Sequence, residues 1–188
     1  MRIYIGLIVF TLFGFLWGCQ RIQVSQDYDL SKDFSSLKTY EWQTKTQPKT
    51  GDIRADNPLL DARIRSAIND SLSKKGYQRI TKGKPDFYVA YNYQIRTKIR
   101  SDNVAMGVGF GWGSRSRVGG IGVDTGSHIR EYDECLLVID LNDASKGDLL
   151  WRGTGTAVVN QHSKPEEITK GVNEAVEKIL SQFPPLPK

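Results

Sequence analysis

Apolar and polar positions along the chain change period several times, and each change marks an element. From Pro58 onward Leu60, Ile64, Ala67, Ile68, Ser71 and Leu72 recur every three or four positions, the spacing of one helix face. Asn57 can accept from the free amides at the start of that helix, and Pro58 suits a first helical position that needs no donor. Lys74, Lys75 and Gly76 then supply cations and a left-handed turn at its end. Beyond Pro85-Asp86 the period falls to two. Phe87, Val89, Tyr91, Tyr93, Ile95 and Ile99 alternate with Tyr88, Ala90, Asn92, Gln94, Arg96, Lys98 and Arg100, which predicts a long strand with one buried and one wet face. Residues 129–141 predict another strand; its run Cys135-Leu136-Leu137-Val138-Ile139 is apolar on both parities, as in a central strand covered on both sides. Asn142–Gly147 is its turn, and Asp148–Val159 returns with Leu149, Trp151, Ala157 and Val159 on one face, completing a three-strand meander. Ser163-Lys164-Pro165-Glu166 has capping-box spacing ahead of a second stripe, Ile168, Val172, Ala175, Val176, Ile179, Leu180 and Phe183, which Pro184-Pro185 stops. Nearer the front, Val24–Leu30 reads as a short strand, residues 34–42 as a strand or extended arm, and residues 43–56 as a polar loop.

Two amphipathic helices among alternating strands predict an α+β domain, a mainly antiparallel sheet with both helices packed on one face. Into it is set a glycine-rich insertion at residues 103–126, eight glycines in 24 residues. Met106, Val108, Phe110 and Trp112 alternate with glycines there, so an extended backbone would point all four to one side. Two readings stand: a floppy hairpin extension, since glycine loses most entropy on ordering, or a contact hairpin that touches a lipid surface or a partner strand. A phosphate loop is excluded, because neither Gly-x-Gly-x-x-Gly nor a Gly-Lys-Ser/Thr ending is present.

The first nineteen residues follow another pattern. Arg2 precedes an apolar run from Ile3 to Trp17, and Gly18-Cys19 closes it before the polar Gln20. As a helix that run spans ~22 Å, short of the roughly 30 Å hydrocarbon core, so a cleaved signal is the better reading than a membrane span. The ending resembles the lipobox of bacterial lipoproteins, with Trp17 where such sequences usually carry a small or β-branched residue. That resemblance implies cleavage before Cys19, a diacylglycerol on its thiol and an acyl group on its new amine, a set of chains sufficient for stable anchoring. With Gln20 next, it implies an outer-membrane anchor and a periplasm-facing domain over residues 19–188, after a signal peptide over residues 1–18.

Without residues 1–18 the chain carries 25 Lys and Arg against 21 Asp and Glu, since Arg2 is the one charge removed. So mild a balance, with export, speaks against nucleic acid as a partner. With Cys19 lipidated, Cys135 has no disulfide partner; in an apolar strand it is expected to behave as a small hydrophobe rather than a nucleophile. His128 and His162 stand apart from other ligand-type residues, so no metal and no cofactor are expected. Asp140 and Asp143 flank a turn, and Asp86 begins a strand, ordinary structural places for aspartate. No catalytic residue is expected. The one constellation with chemistry is basic: Arg96, Lys98 and Arg100 lie two apart on one strand face, near in sequence to Arg115, Arg117 and Arg130, and would suit an anionic envelope component. Its plainer reading is a solvated face partly neutralised by Glu131 or Glu134.

Several segments taken together carry a further resemblance. Asp27-Tyr28-Asp29, Asp33-Phe34, Lys38-Thr39-Tyr40-Glu41-Trp42, Asn57-Pro58-Leu59, Lys75-Gly76-Tyr77, the run Pro85–Tyr91, Leu137–Leu141 and Leu150-Trp151-Arg152-Gly153 occur in this order around the glycine-rich insertion. The chain thereby resembles envelope lipoproteins whose periplasmic domain is known as domain of unknown function four-one-three-six. The resemblance implies an α+β envelope lipoprotein and brings no catalytic residues with it. A non-enzymatic module that binds an envelope component or another protein is therefore expected, with an assembly subunit oligomerising through the hairpin as the alternative and an envelope hydrolase as the third reading.

Overall fold

The computed structural model describes residues 22–102, 128–160 and 162–186, with side chains at 100–102 and 128–130 excepted. Cys19, the proposed contact residues Met106, Val108, Phe110 and Trp112, and the side chain of Arg100 lie outside that description. The described elements are strands β1 (Gln23–Tyr28), β2 (Thr39–Trp42), β3 (Gln78–Arg79), β4 (Phe87–Asp102), β5 (His128–Asp143) and β6 (Leu149–Val159), with helices α1 (Pro58–Lys74) and α2 (Pro165–Leu180). The class is α+β.

The sheet is mixed. Its order is β1-β6-β5-β4-β2-β3, in which β1, β6, β5 and β4 pair antiparallel while β2 runs parallel to both β4 and β3. A strand pair joined through a helix is free to run parallel, and α1 is that crossover between β2 and β3. Asp86 fastens β2 beside β4. Its Oδ2 accepts from the backbone amides of Lys38 (2.9 Å) and Thr39 (2.7 Å) and from Thr39 Oγ1 (2.8 Å), which holds its carboxyl below the usual carboxylate range.

Helix α1 forms as the pattern predicts. Asn57 Oδ1 accepts from Leu59 N, Leu60, Ile64, Ala67, Ile68 and Leu72 are buried, and Gly76 takes the positive φ that ends the helix. Helix α2 starts one residue later than the capping-box spacing suggests: Lys164 is the cap, and Glu167 rather than Glu166 accepts from Lys164 N. Pro165 shifts the frame, since it takes the first helical position. Residues 34–36 form a 3₁₀ turn, capped by Asp33 accepting from Ser35 N, so only the second part of the expected 34–42 segment is a strand.

Along β4 the odd positions Phe87, Val89, Tyr91 and Tyr93 are buried, and with Leu137, Ile139 and Leu141 of β5 they meet both helices in one hydrophobic cluster. Further along, the alternation outlives its core: Ile99 is 67% exposed, and β4 and β5 continue as a ribbon paired to Asp102 and His128. β5 takes the expected central position but not the expected double cover. Leu136 and Val138, on the opposite parity from the buried residues, are only half-buried. In β6, Leu141 pairs with Trp151 while Asn142 pairs with Leu149, so Leu150 is a bulged extra residue. The bulge buries Leu150 beside Trp151 and turns out Leu149, which the alternation alone places inside.

Candidate functional site

Helix α2 packs along the inner side of β6, and the side chains on that line change character from end to end. At its C-terminal end Ile179 sits on two glycines. A Cβ on Gly153 would lie 2.4 Å from Ile179 Cγ2 and 2.2 Å from Trp151 Cη2, and one on Gly155 would lie 2.7 Å from Ile179 Cδ1. Phe183 follows, ringed by Phe34, Tyr77, Phe87 and Trp151. Towards the helix starts the side chains shrink. Gly155 and Ala157 on β6, Cys135 on β5 and Ala175 on α2 leave an apolar cleft of about 250 Å³ between the sheet and the N-terminal halves of both helices. Leu60, Ile64, Val172 and Ile95 complete its walls, and Ile22, the first described residue, lines it too.

Polar groups stand at its border. Asp133 is the one buried charged residue among those described; its carboxylate accepts from Arg54 Nη1 and from Thr97 Oγ1, each at 2.7 Å. Arg54 also pairs with Asp52 Oδ2 at 2.7 Å and binds its proton more firmly for it. Arg63 Nε donates to Thr169 Oγ1 at 3.1 Å, joining α1 to α2 near the cleft. Inside, burial pushes the Cys135 thiol up, and the Tyr93 hydroxyl in hydrogen-bonding contact with it is also pushed up, chiefly by burial. A thiol held protonated is a poor nucleophile. The cleft therefore offers apolar contact and an uncharged thiol.

A larger groove of about 460 Å³ lies at the other end, over Phe34, Tyr77 and Pro185. Three of its charged groups are engaged locally: Lys32 pairs with Asp143 at 3.0 Å, while Asp29 and Asp33 accept from the amides of Ser31 and Ser35. Asp143 also caps the β5–β6 turn through Ser145 N and Lys146 N, as an aspartate beside a turn is expected to do. Asp140 instead forms a two-bond pair with Arg152 at 2.6 and 2.7 Å across the β5–β6 ladder.

The proposed basic strand is only partly cationic in effect. Lys98 Nζ lies 2.7 Å from Glu134 Oε2, and Arg96 donates to Gln94 Oε1 at 3.0 Å. Arg96 stands opposite Glu134 in the ladder, so Glu134 is the neutralising partner anticipated for that face. Tyr91 donates to Asp61, whose carboxylate also binds Arg65 at 3.0 Å, and Arg65 stacks 4.3 Å over Trp42. This network fastens α1 to the sheet. None of it was singled out from the sequence, because its members lie on three separate elements.

The family described as "Domain of unknown function (DUF4136)" matches residues 24–185. No curated protein matches the chain. Among solved structures, a PDZ domain protein from Parabacteroides distasonis is similar at 13% identity with a TM-score of 0.51, over 90% of this chain and 37% of that one. The chain thus spans little more than a third of that protein. PelC from Paraburkholderia phytofirmans, solved as a dodecamer, is similar at 16% identity with TM-scores of 0.48 and 0.46 in two crystal forms. These structures cover 86% of this chain and 95 and 96% of PelC. At such identities the first likeness is one of fold alone, and nothing about partners or assembly carries over from either.

Proposed function

We propose that this chain, which belongs to the DUF4136 family, is a lipid-anchored, non-enzymatic interaction module of the bacterial envelope, held at the outer membrane through Cys19 with its domain facing the periplasm. The observation that carries the reading is the outer face of the sheet. Both helices lie on the opposite side in this reading, leaving β4, β5 and β6 to meet a partner. Two adjacent ladder rows there carry neutral side chains, Asn92–Val138–Thr154 and Gln94–Leu136–Thr156, and the charges to either side of these rows are tied in the pairs Arg152–Asp140 and Lys98–Glu134, with Arg79–Glu41 nearer the β3 edge. A neutral centre with a charged rim is the composition of a protein contact surface. Arg96, with no ion pair among the described residues, adds a site on that rim for an anionic envelope component.

The β4–β5 ribbon favours a second reading, an assembly subunit. It carries Ile99 well clear of the core on an otherwise polar ribbon, and a ribbon that presents its backbone edge can pair with a neighbour's edge. An envelope hydrolase has no comparable support.

Fractionation and intact mass of the wild type beside Cys19→Ser test the anchor, with a lipid-sized mass increase and membrane recovery expected in the wild type alone. A photo-crosslinking side chain at Val138, used in intact cells, tests the face. One discrete adduct, lost on Thr154→Arg, is the expected result; an adduct in multiples of the chain's own mass would select the assembly reading, and no adduct would end the outer-face reading.

A further inference from the structure

We infer that the cleft between the helix starts seats one acyl chain of the protein's own Cys19 lipid. The inference rests on the anchor reading above and adds where one chain of that anchor goes. Ile22 lines the cleft, and Cys19 precedes it by three residues, Gln20 and Arg21 lying between. At ~3.6 Å per residue even a fully extended tether keeps the cysteine within about 11 Å of Ile22. So short a link holds the chain at an effective concentration of the mM order or above, so a weak apolar contact suffices to populate the docked state.

The walls suit such a guest. Gly155, Ala157, Cys135 and Ala175 leave a slot bounded by aliphatic side chains, and burial keeps the two titratable groups within it, the Cys135 thiol and the Tyr93 hydroxyl, uncharged. Charge at the border selects against a free amphiphile. Arg54 and Arg63 are outnumbered by Asp133, Glu167 and Glu174, so the mouth has no net positive charge to capture a detached fatty acid or an anionic lipid. A chain delivered by covalent attachment needs no such capture. One chain of the anchor is then sheltered by the domain that it tethers, while the others hold the bilayer.

The test uses the full chain, produced with its native N-terminus and held in phosphatidylcholine nanodiscs, with an aliphatic diazirine side chain at Ile168. On irradiation the α2 peptide is expected to cross-link to the Cys19 lipopeptide of the same molecule. Alkylation of Cys135 by a maleimide is expected to be at least tenfold slower than in soluble Cys19→Ser. A cross-link to phosphatidylcholine instead overturns the inference in favour of a bilayer lipid. No cross-link, with equal alkylation rates, overturns it in favour of an empty cleft. Intact mass separates the two levels of failure: a lipid-bearing protein with no self-cross-link sinks this inference alone, whereas a protein without lipid sinks the anchor reading with it.

Discussion

Around Phe183 the rings of Phe34, Tyr77, Phe87 and Trp151 lie with centroids 5.3 to 6.2 Å away, whereas at the starts of the same helices the facing positions are Gly155, Ala157, Cys135 and Ala175. One sheet and one pair of helices thus enclose a filled end and an open end. The backbone spacing is set where side chains are largest, and a helix held there stays off the sheet at positions whose side chains are too small to reach across. Packing to crystal-like density at one end and a cavity at the other therefore share a cause. The teaching is about division of labour: the aromatic end fixes the geometry, and the small-residue end is free to receive something.

The largest test of this contrast is to empty the filled end. Phe183→Ala removes a fully buried ring that touches four others and should cost about 3–5 kcal/mol in denaturant unfolding. A loss below about 1 kcal/mol would mean that the aromatic cluster does not set the helix position. Filling the open end should act the other way. Ala175→Leu adds volume beside the cleft, so stability should rise by about 0.5–1 kcal/mol, while Cys135 alkylation slows in the Cys19→Ser background. A clear destabilisation would show that the cleft is not available space. A third effect concerns the β2–β4 junction. Asp86 has its carboxyl lowered by backbone hydrogen bonds, so its stabilisation is fully present above the unfolded value near pH 3.9 and is lost as pH falls through the folded one. Asp86→Asn should cost about 1 kcal/mol at neutral pH and flatten the fall in stability below about pH 4; an unchanged acid limb would rule the junction out as its source.

Much of the filled end is legible along the chain, because its residues announce themselves locally. Leu60 to Leu72 form a helical stripe between a visible cap and a visible stop, and Phe87 to Tyr93 alternate cleanly. The mixed pairing of the sheet is not legible. β3 has two residues, both exposed, so it has no inward side to betray it, and the parallel register of β2 on β4 depends on Asp86 meeting amides 47 and 48 residues earlier. Leu149 misleads because the bulge at Leu150 breaks the alternation, which holds only from Trp151 onward. The cleft is hardest of all. It is made of missing volume, contributed by β5, β6 and α2, and small residues look alike whether they line a slot or pack against a neighbour. The one available signal is the inward series Gly153, Gly155, Ala157 on β6 matched by Gly171 and Ala175 one helical turn apart on α2. The same series also serves close packing, since Gly153 and Gly155 carry Ile179.

Among the described residues β1 is the first strand, yet it pairs with β6, the last, through six residue pairs from Gln23–Thr156 to Tyr28–Trp151. A pull at the N-terminus along the strand direction loads those pairs side by side rather than peeling them one at a time. In the lipid-anchored reading the domain would be slung from its membrane by a shear joint, in which every rung of the ladder must yield together before β1 parts from the sheet.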